Sequence, residues 1–280
     1  MQYKKFRPTK ELSDFVLCYF VWKGDAKEYI DIESPPSALC SLVFNLRAPY
    51  LVSNSKYHKQ KVPKSFVAGQ AIKNYTLHLK GAIEMVGAVL KPVALFNFFN
   101  IPMFNLTGER VDFSIIAPQR SGQLFRQIKE TSTDSGRIGL LESYFLKQQL
   151  NNQFAHKEMV SAANKIYRMR GQINILKLME KVPMSRRNFE RKFLNEVGVS
   201  PKTYAKIRRF GYTCKLMAGK RDVNLMDVLF EGGYYDQSHF IKDFKYFSGR
   251  TPRTYAKGNT ELVNYLDQFS IVEERLRSGN

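Results

Sequence analysis

The chain has 280 residues, 44% of them hydrophobic, with 44 Lys and Arg against 25 Asp and Glu and a formal net charge of +19. That length accommodates two ordinary domains, each with its own core, and the composition is that of a globular chain. No apolar run reaches the ~18–20 residues that cross a bilayer, and the start, Met1-Gln-Tyr-Lys-Lys-Phe-Arg-Pro8, lacks the apolar core of a secretory signal. A cytoplasmic protein is therefore expected, without a membrane partner. Cys18, Cys40 and Cys214 are odd in number and widely spaced, so neither a disulfide framework nor a zinc site is expected.

Residues 1–91 read as strands and loops. Ala38–Leu46 and Ile83–Leu90 are apolar and bounded by Pro, Gly or Lys. Ser65–Gly69 and Tyr75–Gly81 read as further short strands closed by glycine; in the second, Tyr75, Leu77 and Leu79 alternate with Thr76, His78 and Lys80. Pro92 opens a short apolar helix, Val93–Phe99, and Ile101–Asp112 reads as a loop. Two helices follow, near Gln119–Lys129 and Arg137–Leu150, and residues 151–156 read as a linker. His58 and His78 stand in different contexts, and there is no acid–base pair or phosphate-cradling glycine loop, so no metal, cofactor or catalytic residue is expected.

From Lys157 onward the pattern is helical. Helices are predicted at Lys157–Arg168, Ile173–Lys181, Ser185 to about Val197, Pro201 to about Met217, Asn224–Glu231, Asp236 through Phe247, and from Pro252. Residues 157–258 hold 22 Lys and Arg against 9 Asp and Glu, so positive charge concentrates here. Such a domain suits a polyanion, with strong salt dependence from counterion release. Within it one pattern occurs twice, 51 positions apart: Phe189, Arg191, Phe193, Gly198, Ser200, Pro201, Lys202, Thr203 and Tyr204, then Phe240, Lys242, Phe244, Gly249, Thr251, Pro252, Arg253, Thr254 and Tyr255. Each copy ends one helix at a glycine and starts another at Ser-Pro or Thr-Pro, which is the grammar of a helix-turn-helix.

The stretch Gly233-Tyr234-Tyr235-Asp236-Gln237-Ser238-His239-Phe240, followed by Phe244, Lys245, Gly249, Thr251, Pro252 and Tyr255, resembles the signature of AraC/XylS-type transcriptional regulators. Ser185, Phe189, Arg191, Phe193, Gly198, Ser200, Pro201 and Tyr204 are similar to that family's first unit. The resemblance covers roughly residues 157–257. It implies a two-domain α+β chain: a β-rich, half-barrel or cupin-like sensor or dimerisation domain over 1–150, and an all-α tandem helix-turn-helix domain over 156–258. It departs from the family at Met179, Leu229 and Thr213, where small alanines are usual, and at Tyr234, where Phe is usual.

The resemblance implies double-stranded DNA as partner, read at two adjacent major-groove segments. Phe189, Phe193, Phe240 and Phe244, four apart in pairs, belong to the core. Arg186, Arg187, Glu190 and Arg191 in the first unit, and Gln237, Ser238, His239 and Lys242 in the second, with Ile241 beside them, are the expected base-facing positions. Arg pairs with guanine and Gln with adenine by two bonds each; Glu190 either accepts from cytosine or positions Arg187 or Arg191. Lys192, Lys202, Lys245 and Arg253 are expected at phosphates. A linking helix of about 16 residues is a rod of ~24 Å, which suits two boxes about ~10 base pairs apart.

Further partners implied are a small-molecule effector, a second copy of the chain, and RNA polymerase for an activator. The stretches Ser41–Tyr50, Phe66–Gly69 and Gly87–Pro92 are similar to a β-rich sensor domain of some members, with Phe44, Tyr50, Phe66, Tyr75 and Met85, and also Phe96 and Phe98, as candidate effector-pocket residues. Leu262, Tyr265, Leu266, Phe269 and Leu276 predict an amphipathic helix within 259–280, packed on the rest of the chain or on a second copy. Two other functions fit a basic helical module: a nonspecific architectural DNA binder, and a repair enzyme that uses the module for targeting. The second requires an activated cysteine in a Pro-Cys-His setting, which none of the three cysteines has.

Overall fold

The computed structural model describes residues 1–47, 49–218 and 223–258. Eight antiparallel strands form one sheet: β1 (Gln2–Phe6), β2 (Val16–Ser34), β3 (Cys40–Asn45), β4 (Leu51–Ser53), β5 (Gln60–Lys61), β6 (Ser65–Ala68), β7 (Tyr75–Leu90) and β8 (Arg110–Asp112). The main path runs β1-β2-β7-β3-β6-β8, with β4 on the far half of β7 and β5 on β4. The two short strands predicted around Gly81 are one strand. Gly81 lies beside a slip in the β2–β7 register between Ala26 and Ile30, so the irregularity bends the ladder without ending it. The loop expected at 101–112 holds a 3-10 turn, Met103–Leu106, and β8.

Alternation along the strands divides the side chains between two layers. Tyr19, Val21, Leu42, Phe44, Val67, Val86 and Ala88 face the helices α1 (Ala94–Phe99), α2 (Phe113–Ile116), α3 (Ser121–Glu130) and α4 (Asp134–Asn151), where Leu95, Phe98, Phe113, Leu124, Leu141 and Phe145 meet them. Phe20, Trp22, Val43, Phe66, Met85 and Val89 face the other way.

A charged cluster fastens α4 to the sheet. Lys23 Nζ lies 2.6 Å and Lys4 Nζ 2.8 Å from the carboxylate of Asp134, the first residue of α4, and Arg137 donates to Glu84 at 2.6 Å. The bond from Lys23 and then that from Lys4 hold the Asp134 carboxyl below its ordinary range. Burial would raise Glu84, but the bond and charge of Arg137, with Lys23 and Arg47, outweigh it and the net shift is downward. Both groups thus bind protons more weakly folded than unfolded. Their contribution is complete above the ordinary carboxylate value of about 4 and is lost as pH falls through the depressed values. Asp134→Asn is expected to lower stability at pH 7 by about 1–2 kcal/mol, through loss of charged bonds at a helix N-terminus, and to flatten the acid dependence of thermal melts below about pH 4. A melt that steepens there as in the parent would contradict this.

The carboxy-terminal helices are α5 (Lys157–Arg168), α6 (Ile175–Met179), α7 (Arg186–Val197), α8 (Pro201–Met217), α9 (Leu225–Glu231), α10 (Gln237–Ser248) and α11 (Pro252–Gly258). Their core contains Met159, Ile166, Phe189, Phe193, Tyr204, Phe210, Phe240, Phe244 and Tyr255. Met179 and Leu229, larger than the family's usual alanine, are buried in it. The helix expected over residues 260–277 lies outside the described residues.

The sheet and the helical unit touch at both halves of the latter. Thr107 Oγ1 donates to the carbonyl of Gly198, at the end of α7, at 2.9 Å. The backbone N–H of Asn74 donates to the carbonyl of Phe247, near the end of α10, at 3.0 Å, and Glu33 pairs with Arg250. Between them, Tyr204 O–H on α8 donates to the carbonyl of Ala38 at 3.2 Å.

Candidate nucleic-acid interface

Local chemistry places α7 and α10 in the same way. Ser185 Oγ accepts from the N–H of Asn188 at 3.3 Å, and Asp236 Oδ1 from that of His239 at 2.7 Å, so each helix starts on a side-chain cap. Gly198 and Gly249 end them with φ of 93° and 73°, a left-handed turn in which a β-carbon is strained. Four residues apart, Phe189 and Phe193 on α7 and Phe240 and Phe244 on α10 turn one face of each helix into the core, at 0–1% exposure.

The opposite faces meet solvent. Arg186, Arg187, Glu190 and Arg191 on α7, and Gln237, Ser238 and Lys242 on α10, are all exposed, and Ile241 is half-buried. Glu190 takes Arg186 as its partner, with Nε at 3.3 Å one helical turn away, rather than Arg187 or Arg191. Arg191 instead donates to Asn188 Oδ1 at 2.9 Å, which orients its guanidinium without neutralising it. His239 turns back toward the protein. Its ring meets Tyr234 edge-on at 5.4 Å and its Nε2 lies 3.4 Å from Asp243. Lys202, Lys245 and Arg253 are exposed, whereas Lys192 is half-buried. The α8 rod between the two units has 17 residues, or about 25 Å at the usual rise.

A second feature lies between the sheet and this unit. A cavity of about 350 Å³ is walled by Leu17, Phe20, Tyr50, Phe66, Tyr75, Met85 and Arg110 from the sheet and by Tyr167, Arg208, Gly211 and Lys215 from α5 and α8. Tyr50, Phe66, Tyr75 and Met85 thus line one cavity. Phe44 is not with them: one step along β3 from Val43, it points to the helix layer, where its ring meets Phe113 at 5.8 Å. Phe96 and Phe98 belong to that same layer. Sequence reasoning missed the cavity's second wall, because nothing local in α5 or α8 signals a contact with strands more than a hundred residues away.

All three cysteines are buried, and burial pushes each thiol up to about 12. They are protonated at neutral pH and poor nucleophiles, which removes the activated thiol that a repair enzyme of this design requires. Among the described residues no helix is long and apolar enough to cross a membrane.

Two capped helices with exposed polar faces, joined by one rod on a basic scaffold, form tandem helix-turn-helix units. Residues 178–258 match a family described as a helix-turn-helix domain. Both copies of the repeated signature lie within that stretch. Residues 4–112 match a family described as a domain of unknown function (DUF6597). No curated protein matches the chain significantly.

Solved structures similar to the chain include ToxT from Vibrio cholerae, with 12% identity over 85% of this chain and 97% of that one and a TM-score of 0.44. An unsaturated-fatty-acid-bound ToxT from Vibrio cholerae strain SCE256 shows 13% identity over 85% and 94%, at 0.45. The AraC-like transcriptional activator CuxR shows 8% identity over 95% and 96%, at 0.20.

Proposed function

We propose that this chain is a DNA-binding transcription regulator that reads two short DNA segments in adjacent major grooves, one with α7 and one with α10, and that residues 1–150 sense a small molecule while residues 156–258 bind the operator. The carrying observation is the pair of exposed faces with unlike chemistry, Arg186, Arg187, Glu190 and Arg191 against Gln237, Ser238 and Lys242. Different side chains on equivalent scaffolds favour two different base sequences, hence an asymmetric site. A nonspecific architectural binder has no use for that difference.

Selection from a randomised duplex library followed by footprinting tests this reading. Two protected boxes about one helical turn apart, ~10 base pairs, are expected. A single box, or equal affinity for selected and random DNA, would sink it. Lys245→Ala, at a proposed phosphate contact, should weaken all sequences alike and reduce the slope of log K against log salt by about 1.

For the sensing role the support is the cavity. Its volume of about 350 Å³ lies within the range of small-ligand sites, and its walls come from both domains. A molecule touching both walls would couple occupancy to the setting of α8, and so to the two reading helices. The apolar lining with cationic Arg110 and Arg208, one from each domain, favours a small amphipathic anion. Thermal-shift screening of such compounds, repeated on a Met85→Trp variant that fills the cavity, is the direct check. Stabilisation that persists in the filled variant would remove the cavity from the account.

A further inference from the structure

The segment leading into α10 carries a side chain that the fold does not use. Tyr235 is 96% exposed, the most exposed large ring among the described residues. It is not loose. The residue before it, Tyr234, is buried, with its ring 5.1 Å from that of Phe240. The residue after it, Asp236, caps α10 through the N–H of His239 at 2.7 Å. Upstream, Gly233 turns the chain with φ of 72°, packed on the side chain of Gln172. With the chain held on both sides and the neighbouring ring directed inward, Tyr235 projects outward beside Gln237 and Ser238, at the leading end of the second reading helix.

The equivalent position in the first unit, 51 residues earlier, is Met184. That side chain packs partly against the helical core. The two units therefore differ at this point in a direction that fits their other differences. The first presents three arginines at its reading face, and the second a single lysine with Gln237, Ser238 and the half-exposed Ile241. The second unit has less charge and more apolar surface. In the major groove the apolar group offered by base edges is the C5-methyl of thymine, and the leading end of a reading helix is the part that meets base edges.

We propose that Tyr235 is a specificity-determining residue of the second unit, its ring packing against a thymine methyl at the edge of the second box. The inference rests on the two-box reading above. Because the ring contributes almost no buried surface to the fold, its removal should leave the melting temperature unchanged, so Tyr235 variants report on DNA alone.

The test uses the full chain and the duplex enriched from a randomised library, with each dT of the second box replaced in turn by dU, which removes the methyl only. One such replacement is expected to weaken the parent about fourfold, the effect of one buried methyl, and to leave Tyr235→Ala unaffected. Tyr235→Ala itself should bind the unmodified duplex about tenfold more weakly, and Tyr235→Phe within about twofold of the parent, as an apolar contact requires. If no dU in the second box affects the parent, or if Tyr235→Phe is as weak as Tyr235→Ala, the ring reads no methyl and the proposal is overturned; the latter result would mean that the hydroxyl meets a phosphate. Two protected boxes with a silent dU series would sink the Tyr235 role while the two-box reading stands. Absence of a second box would overturn both.

Discussion

Phe210→Ala is expected to lower the stability of the chain by about 3–5 kcal/mol and to abolish protection of the second DNA box before the first. Phe210 lies on α8 with 0% exposure. Its ring sits 4.9 Å from Phe244 and 5.0 Å from Phe247, both on α10. Truncation removes the transfer free energy of the ring and leaves a cavity at the joint between the rod and the second reading helix. The surrounding helices relax only partly, which is why the cost exceeds burial alone. The first unit is anchored separately, by Phe189 and Phe193 stacked at 5.8 Å and by Tyr204 at 5.9 Å from Phe193. It should therefore keep its geometry longer. Chemical denaturation with footprinting at matched folded fraction separates the two effects. Phe210→Leu, which keeps most of the volume, should cost under about 1.5 kcal/mol. An alanine variant as stable as the parent, or one that loses both boxes in parallel, would contradict this account of α8.

The helical unit was legible nearly to the residue because its signals are local. A cap, a turn and a left-handed stop each lie within four residues of the group they satisfy: Ser185 with Asn188, Asp236 with His239, Gly198 after Val197. The core phenylalanines follow from their spacing of four. The sheet was legible only as strand-rich sequence. β1 and β2 are held by partners elsewhere, β2 lying against the whole of β7, and no local signal reports such pairing. Phe44 shows the same limit at one residue. Alternation states that Val43 and Phe44 face opposite ways, but which of them meets a cavity depends on layers built by distant segments. His239 shows a related limit: its ring has Tyr234 and Asp243 to pack against, and helical position alone does not reveal a partner. The contacts from Thr107, Glu33 and Asn74 to the ends of α7 and α10 likewise had no signature of their own.

Arg191→Ala and Lys242→Ala are each expected to cost about 1–3 kcal/mol of specific binding, roughly 5- to 150-fold in affinity, with little change toward random DNA. Both side chains are exposed on the faces opposite the phenylalanine stripes. Arg191 is the stronger candidate of the two. Asn188 Oδ1 takes one of its N–H groups at 2.9 Å and, among the described residues, no carboxylate pairs with it, so its charge and remaining donors stay available for two parallel bonds to a guanine. Arg186 differs, since Glu190 lies 3.3 Å from its Nε and offsets part of its charge. Lys242 offers a point charge without that planar fork, so its loss should be the smaller and should relax the second box less sharply. The two residues stand on different helices, which the proposed reading assigns to different boxes. Their effects should therefore add to within about 0.5 kcal/mol in the double variant. Competition binding with the selected duplex, with duplexes altered in one box at a time and with random DNA measures all of these quantities. Equal weakening of selected and random DNA by Arg191→Ala would make it a phosphate contact. Strong non-additivity would mean that α7 and α10 read one continuous element rather than two.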